Sequence, residues 1–264
     1  MFIQEVIGAG EVAIADERAS EPTGHELARL AHSVHLAGML SGKSGVVHVH
    51  VGDGESRLKI LREAVEKYAV QPEWIYATHI SRSEKLMLEA IELAKGGSFV
   101  DIDTADDGLA ECIDFYMEHT GWEEKLTVSS DASVTSPHNL FDQIRCCIVE
   151  HRIPLETILP LVTSNPATVL KLEKKGRLGD GMDGDALVLT KDGFELREVI
   201  SRGRRLVKNG ELSFAEKFLN DSNRRIILEG RKWNGNGNGN GNGSHSRFGK
   251  RKLLVPAEPA CEGK

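Results

Sequence analysis

Two histidines and two carboxylates stand where a protein could do chemistry. Glu11 lies late in the run IQEVIGAGEVAI, His50 closes GVVHVH, His79 closes WIYATH and Asp131 closes LTVSSD. Each run is short, apolar and rich in the residues that favour β-strands. In a parallel α/β sheet or barrel, ligands gather at the carboxyl ends of the strands. Two imidazoles and two carboxylates converging there suit zinc or a similar divalent cation. A lone histidine on a strand is more often a satisfied core or rim residue, but four such residues on four strands make a stronger case. Arg18 follows the first run by a few residues and Arg82 lies three residues after His79. Both are expected to overhang the same rim, where guanidinium groups fork onto carboxylates. Ordinary surface arginines are the plain alternative.

The elements that must position these residues follow from the spacing of apolar side chains. Strands are expected over residues 3–14, 45–52, 74–80, 98–104 and 126–132, with helices over 23–41, 55–69, 83–95 and 107–119. The Gly96-Gly97 pair ends the third helix. The strands are too apolar to be half-exposed, which suits a parallel sheet covered by helices. An open sheet and part of a (β/α)8 barrel fit this rhythm equally well. Residues 139–172 read as helices broken at Pro154, and 176–190 and 196–212 as short strands separated by turns. The expected division is an α/β part over 1–172, a small β appendage over 173–230, and a low-complexity Asn/Gly linker with a basic tail over 231–264. Alternating Asn and Gly cannot bury a core, so that tail reads as disordered.

Composition narrows the class. The 264 residues are 40% hydrophobic and 28% charged, with a net charge of −7, ordinary for a globular protein and unsuited to general nucleic-acid binding. No run of apolar residues is long enough for a membrane span. The N-terminus lacks a basic leader followed by an apolar stretch, the pattern of a secretory signal. Cys112, Cys146, Cys147 and Cys261 form no CxxC pair, which fits reduced thiols in a cytoplasmic setting rather than a disulfide framework or a cysteine zinc site. Gly8-x-Gly10 lacks the third glycine and following helix of a dinucleotide site. Ser129-Ser130-Asp131 is not a nucleophile elbow, and Asp183-x-Asp185 reads as turn chemistry.

Taken together, VIGAGEVAIADERASEPT, GVVHVHVGDG, ATHISR, LTVSSDASVT, VTSNPATVLKL and GRLGDGMDGDALVLT resemble the later half of isoaspartyl (β-aspartyl) dipeptidases, metal-dependent amidohydrolases. The last two segments are similar to amidohydrolases at large; GEVAIADERAS with ATHISR is more specific to the dipeptidase branch. The resemblance covers roughly residues 5–212. It implies a partial (β/α)8 barrel made of the later strands, with a small C-terminal β appendage. It implies that Glu11 bridges two cations where the best-known members use a carboxylated lysine. His50 and His79 then fall on the ligands of the second metal. Asp131 falls on the aspartate that binds metal and carries the proton in amide hydrolysis. Arg18 and Arg82 fall on contacts to substrate carboxylates, and Thr135 falls where the family has a serine near the substrate. One or two Zn2+ ions are the implied cofactor, and a small acidic dipeptide the implied substrate.

His48-x-His50 looks like the first metal motif of such enzymes, but too few βα units follow it. His48 therefore reads as structural, pointing inward below His50, since residues two apart share a strand face. The family's own HxH motif, and its glutamate for the substrate amino group, would precede Met1. The chain is accordingly expected to be an incomplete enzyme. A complementing N-terminal chain or a homo-oligomer is the implied partner. An inactive remnant, a non-catalytic subunit and an amidohydrolase acting on cyclic amides are the alternatives.

Overall fold

The computed structural model describes residues 3, 5–106, 108–119, 122–132 and 136–213. Five strands, β1 (Gly8–Ile14), β2 (Val46–Val51), β3 (Ile75–Thr78), β4 (Phe99–Asp103) and β5 (Leu126–Ser129), form one sheet in sequence order. All neighbours are parallel. Between them run α1 (Gly24–Ser41), α2 (Lys59–Tyr68), α3 (Glu84–Lys95) and α4 (Leu109–His119). Each crossover advances by one strand in the same direction, so crossovers of one hand lay every helix on the same face. That is the build of a barrel segment and not of a doubly wound sheet, whose strand order reverses. Helices α5 (Pro137–Val149), α6 (Leu155–Val162) and α7 (Ser164–Val169) follow. Strands β6 (Ala186–Leu189), β7 (Leu196–Ser201), β8 (Arg204–Lys208) and β9 (Glu211–Leu212) then make a separate antiparallel sheet. The Asn/Gly segment and basic tail lie outside the described residues.

Local sequence explains the boundaries. Thr23 caps α1 by accepting from the Glu26 amide, while Glu26 reaches back to the Thr23 amide, and Gly42 ends the helix in left-handed geometry. β1 starts at Gly8 rather than at residue 3, because Ile3 and Val6 are exposed and join no strand. The Asn of the TSNPA motif, Asn165, is buried and donates to the carbonyls of Glu123 and Leu126, both at 2.8 Å, fixing α7 beneath the start of β5. Lys175 pairs with Asp183 at 2.8 Å and Asp185 at 2.5 Å, and Asp185 also accepts from the Arg202 amide, so these aspartates do tie down a turn.

Strand alternation divides the parallel sheet into two different faces. Val47, Val49, Ile75, Ala77, Val100, Ile102, Leu126 and Val128 point into one apolar core with Leu27, Leu61, Met87 and Ile113 of the helices. The opposite face is layered. Val46, Tyr76 and Phe99 pack with Val169 at its floor. Above them Asp101, fully buried, receives hydrogen bonds from Thr127 (2.6 Å) and Tyr76 (3.2 Å) on Oδ1 and from Ser129 (2.6 Å) and Thr78 (2.7 Å) on Oδ2. Three strands are thus tied through one carboxylate. The expectation of apolar strands holds for the helix-covered face alone.

β1 reaches β2 through glycines. A Cβ on Gly8 would lie 2.6 Å from the Val46 carbonyl oxygen, and one on Gly10 would lie 2.9 Å from His48 Cβ. The register shifts between Ala9 and Val12, a bulge that contains Glu11 and re-aims its side chain.

Gly10→Ala should therefore force β1 away from β2 and lower stability by about 1–3 kcal/mol in urea unfolding; unchanged stability would mean that the contact is slack. Asp101→Ala, which removes the acceptor shared by four hydroxyls, should cost about 3 kcal/mol or more, and Asp101→Asn less. Burial holds the Asp101 carboxyl above the ordinary carboxylate range, against the pull of its hydroxyl donors. Folding therefore favours its protonated form. That contribution is whole below about pH 3.9 and is lost as pH rises through the higher folded value. The Asn variant should lack this slope when unfolding is followed across pH.

Candidate metal centre at the strand ends

The upper layer of the polar face carries the candidate ligands. His50, near the end of β2, turns Nδ1 toward Glu11 Oε1 at 3.3 Å. Its other nitrogen, Nε2, lies 3.2 Å from His48 Nδ1. His79 follows β3 with φ of 66°, a left-handed conformation that swings its ring over the strand ends. There its Nε2 meets His50 Nδ1 at 3.0 Å. Its Nδ1 meets Asp103 Oδ2 at 2.8 Å. Asp131, two residues beyond β5, is left-handed too, with φ of 46°. Its carboxylate, a nitrogen of His79 and the Asp103 carboxylate lie within 4.8 Å of one another.

The electrostatics favour neutral rings at His48 and His50. Burial, then the neighbouring His50 and His79, push His48 down to about 4. Burial and His79 also hold His50 below the usual imidazole range, against the opposite pull of Glu11 and Asp131. Burial would raise Asp103, but the bond from His79, the Ala105 amide and the charge of Arg82 outweigh it and hold the carboxyl low. Neutral imidazole is the form that binds a cation. A tetrahedral ion with bonds of about 2.1 Å spaces its ligand atoms about 3.4 Å apart. The 3.0 and 3.3 Å steps from His79 Nε2 to His50 Nδ1 to Glu11 Oε1 are close to that edge length. The donor set therefore fits a divalent ion of the zinc type.

Two carboxylate arrangements compete around His79. Asp103 is buried, and its oxygens are held by His79 Nδ1 and the Ala105 amide at 2.9 Å. Glu11, by contrast, is 65% exposed and faces the open side of His50. Asp103 is thus the carboxylate already engaged behind His79, and Glu11 the more open one.

The arginines divide. Arg18 is 79% exposed and forks onto Asp16 within its own turn, at 2.9 and 2.6 Å. Arg82 is half-buried, pairs with Asp53 at 3.2 Å, and sits where its charge acts on both His50 and Asp103. Asp16 feels both arginines, so the two share one rim, but Arg82 alone borders the imidazoles. Thr135 lies outside the described residues. His48 points inward beside His50, and Ser129 bonds to Asp101. Asp101 and Asp103 are the residues that the sequence reading passed over. Their signal is the period-two pair in SFVDIDT, which places both on the face shared with His48 and His50.

Comparison with known proteins bears on the fold and the family pattern. Residues 127–214 match the pattern of the amidohydrolase family. A beta-aspartyl dipeptidase from the thermophilic, keratin-degrading Fervidobacterium islandicum AW-1 is 36% identical, over 81% of this chain and 60% of that one, with a TM-score of 0.76. The structure of such an enzyme in complex with a beta-Asp-Leu dipeptide, from the same organism, matches at 34% identity over 81% and 61%, also at 0.76. A mutant atrazine chlorohydrolase from Arthrobacter aurescens TC1, complexed with zinc and atraton, shares the fold alone, at 15% identity over 72% and 49% and a TM-score of 0.51. The chain spans about 60% of the length of the dipeptidases it matches. In sequence and in fold the chain is similar to the beta-aspartyl dipeptidases, and its residues 127–214 match the amidohydrolase family pattern.

Proposed function

We propose that these residues form the metal site of a hydrolase acting on β-aspartyl dipeptides. The observation that carries the reading is the meeting of Glu11, His50 and His79 at 3.0–3.3 Å, beside Asp131, at the strand ends of a chain 36% identical to a beta-aspartyl dipeptidase. Glu11, His50, His79 and Asp131 would hold the ion, with zinc as the best match to neutral imidazoles and carboxylates. When bound, the ion supplies polarisation of the scissile carbonyl and a water of lowered pKa, about 7.

The remaining work falls to the chain. Asp131 takes a proton from the attacking water and passes it to the leaving amine. Its left-handed position past β5 supports that role, because it places the carboxylate beside His79. Arg82 fixes a substrate carboxylate at the rim, exchanging Asp53 for it, and Arg18 does the same by releasing Asp16. Two such forks suit a substrate with more than one carboxylate, in keeping with the beta-Asp-Leu held by the Fervidobacterium enzyme. Thr135 is assigned a place beside the substrate by resemblance alone.

The test uses the protein isolated whole from its source cells, with β-Asp-Leu as substrate. Chelation should abolish turnover and added zinc should restore it. Asp131→Asn should lower kcat about 100-fold or more while zinc stays bound. Arg82→Met should raise KM about tenfold, equal to about 1.4 kcal/mol of binding, with little change in kcat. Turnover that survives both chelation and the loss of His50 and His79 would overturn the proposal.

A further inference from the structure

An imidazole offers one nitrogen to a cation only if the proton sits on the other, so the partner of the far nitrogen decides whether a histidine is ready to bind. The far nitrogen of His79 is Nδ1, 2.8 Å from Asp103 Oδ2. Both side chains are buried, at 7% and 8% exposure, and the other oxygen of Asp103 accepts from the Ala105 amide at 2.9 Å. A carboxylate accepts and does not donate. In the neutral ring this bond keeps the proton on Nδ1 and leaves a lone pair on Nε2, the atom that faces His50.

His50 is held differently. Its far nitrogen, Nε2, lies 3.2 Å from His48 Nδ1. That partner is an imidazole, which donates from one tautomer and accepts in the other. Nothing in this contact fixes the proton of His50. Before an ion binds, Nδ1 of His50 is the natural donor to His79 Nε2 or to Glu11, both within 3.3 Å.

We propose that Asp103 is a positioning residue for a divalent cation: it locks His79 in the Nδ1–H tautomer, so that Nε2 is presented before the ion arrives, whereas His50 exchanges tautomers against His48 as the ion binds. The exchange is balanced. The proton leaves Nδ1 of His50 and one returns to its Nε2, while His48 gives up its Nδ1 proton and gains one on Nε2. This rests on the metal reading given above.

The experiment uses the protein labelled with 15N. Long-range 1H–15N correlation spectra of the histidine rings, with and without zinc, read the tautomers directly. Competition with a chromophoric chelator reads zinc affinity. His79 should be Nδ1–H in both spectra, and His50 should change from Nδ1–H to Nε2–H on zinc addition. Asp103→Asn, whose amide can also donate, should mix the His79 tautomers and weaken zinc binding about 10- to 100-fold. Asp103→Glu should restore part of that loss. Should the Asn variant fail to fold by circular dichroism, the wild-type spectra still decide, since a His79 proton on Nε2 overturns the proposal. A folded Asp103→Asn protein that binds zinc as tightly as wild type overturns it alone and leaves the metal reading intact. A wild-type protein that binds no zinc through His50 and His79 removes both.

Discussion

Everything at the strand ends depends on keeping a buried polar face satisfied. A strand gives alternate side chains to opposite faces, and here the helices cover one of them with aliphatic residues. The other face must then hold polar groups without leaving them unpaired, because an unsatisfied buried donor or acceptor costs about 1–3 kcal/mol. Asp101 solves this for β3, β4 and β5 by accepting from four hydroxyls. The hydroxyls are short and come from different strands, so the network also fixes how those strands sit against each other. His50, His79 and Asp103 stand one layer above it.

That layering makes the site a continuation of the sheet rather than an addition to it. Val46, Tyr76 and Phe99 keep the floor dry, Asp101 gathers the middle, and the imidazoles occupy the mouth. The charges follow the same gradient. His48, two residues below His50 along β2, is pushed toward the neutral form by burial. Glu11, at the mouth, remains largely in solvent. The bulge in β1 and the missing side chain of Gly10 let this outer carboxylate approach His50 even though its strand lies at the edge of the described sheet.

Much of this was legible in the sequence, for a physical reason. Parallel strands and amphipathic helices have distinct periods, and all five strands and the helices between them fall within a few residues of where those periods put them. Glu11, late in its run, lies 3.3 Å from His50, and His50 lies 3.0 Å from His79, as positions at or near the run ends lead one to expect. What periodicity hid was the second face. Tyr76, Thr78, Asp101 and Thr127 are buried, so a reading that equates burial with apolar character passes over the network they form. The opposite error occurred at Ile3 and Val6, apolar residues that stay exposed. The apolar runs put His79 and Asp131 near the ends of strands over 74–80 and 126–132, yet both lie beyond the strands in left-handed turns. Side-chain type signals chemistry, but only backbone geometry reveals how the side chain is aimed. The arginines show the same limit, since their spacing was alike while their surroundings differ.

The left-handed turns at His79 and Asp131 also bear on how such a site changes over time. Left-handed backbone is tolerated by glycine and, less readily, by Asn, Asp and His, and resisted by β-branched residues. On the proposed metal reading, two filters act on each position: one admits residues by backbone shape, the other by the ability to donate a lone pair. Few amino acids pass both. Neutral drift through chemically intermediate residues is closed off at these two positions, so the site should persist nearly intact across a lineage or disappear in single steps.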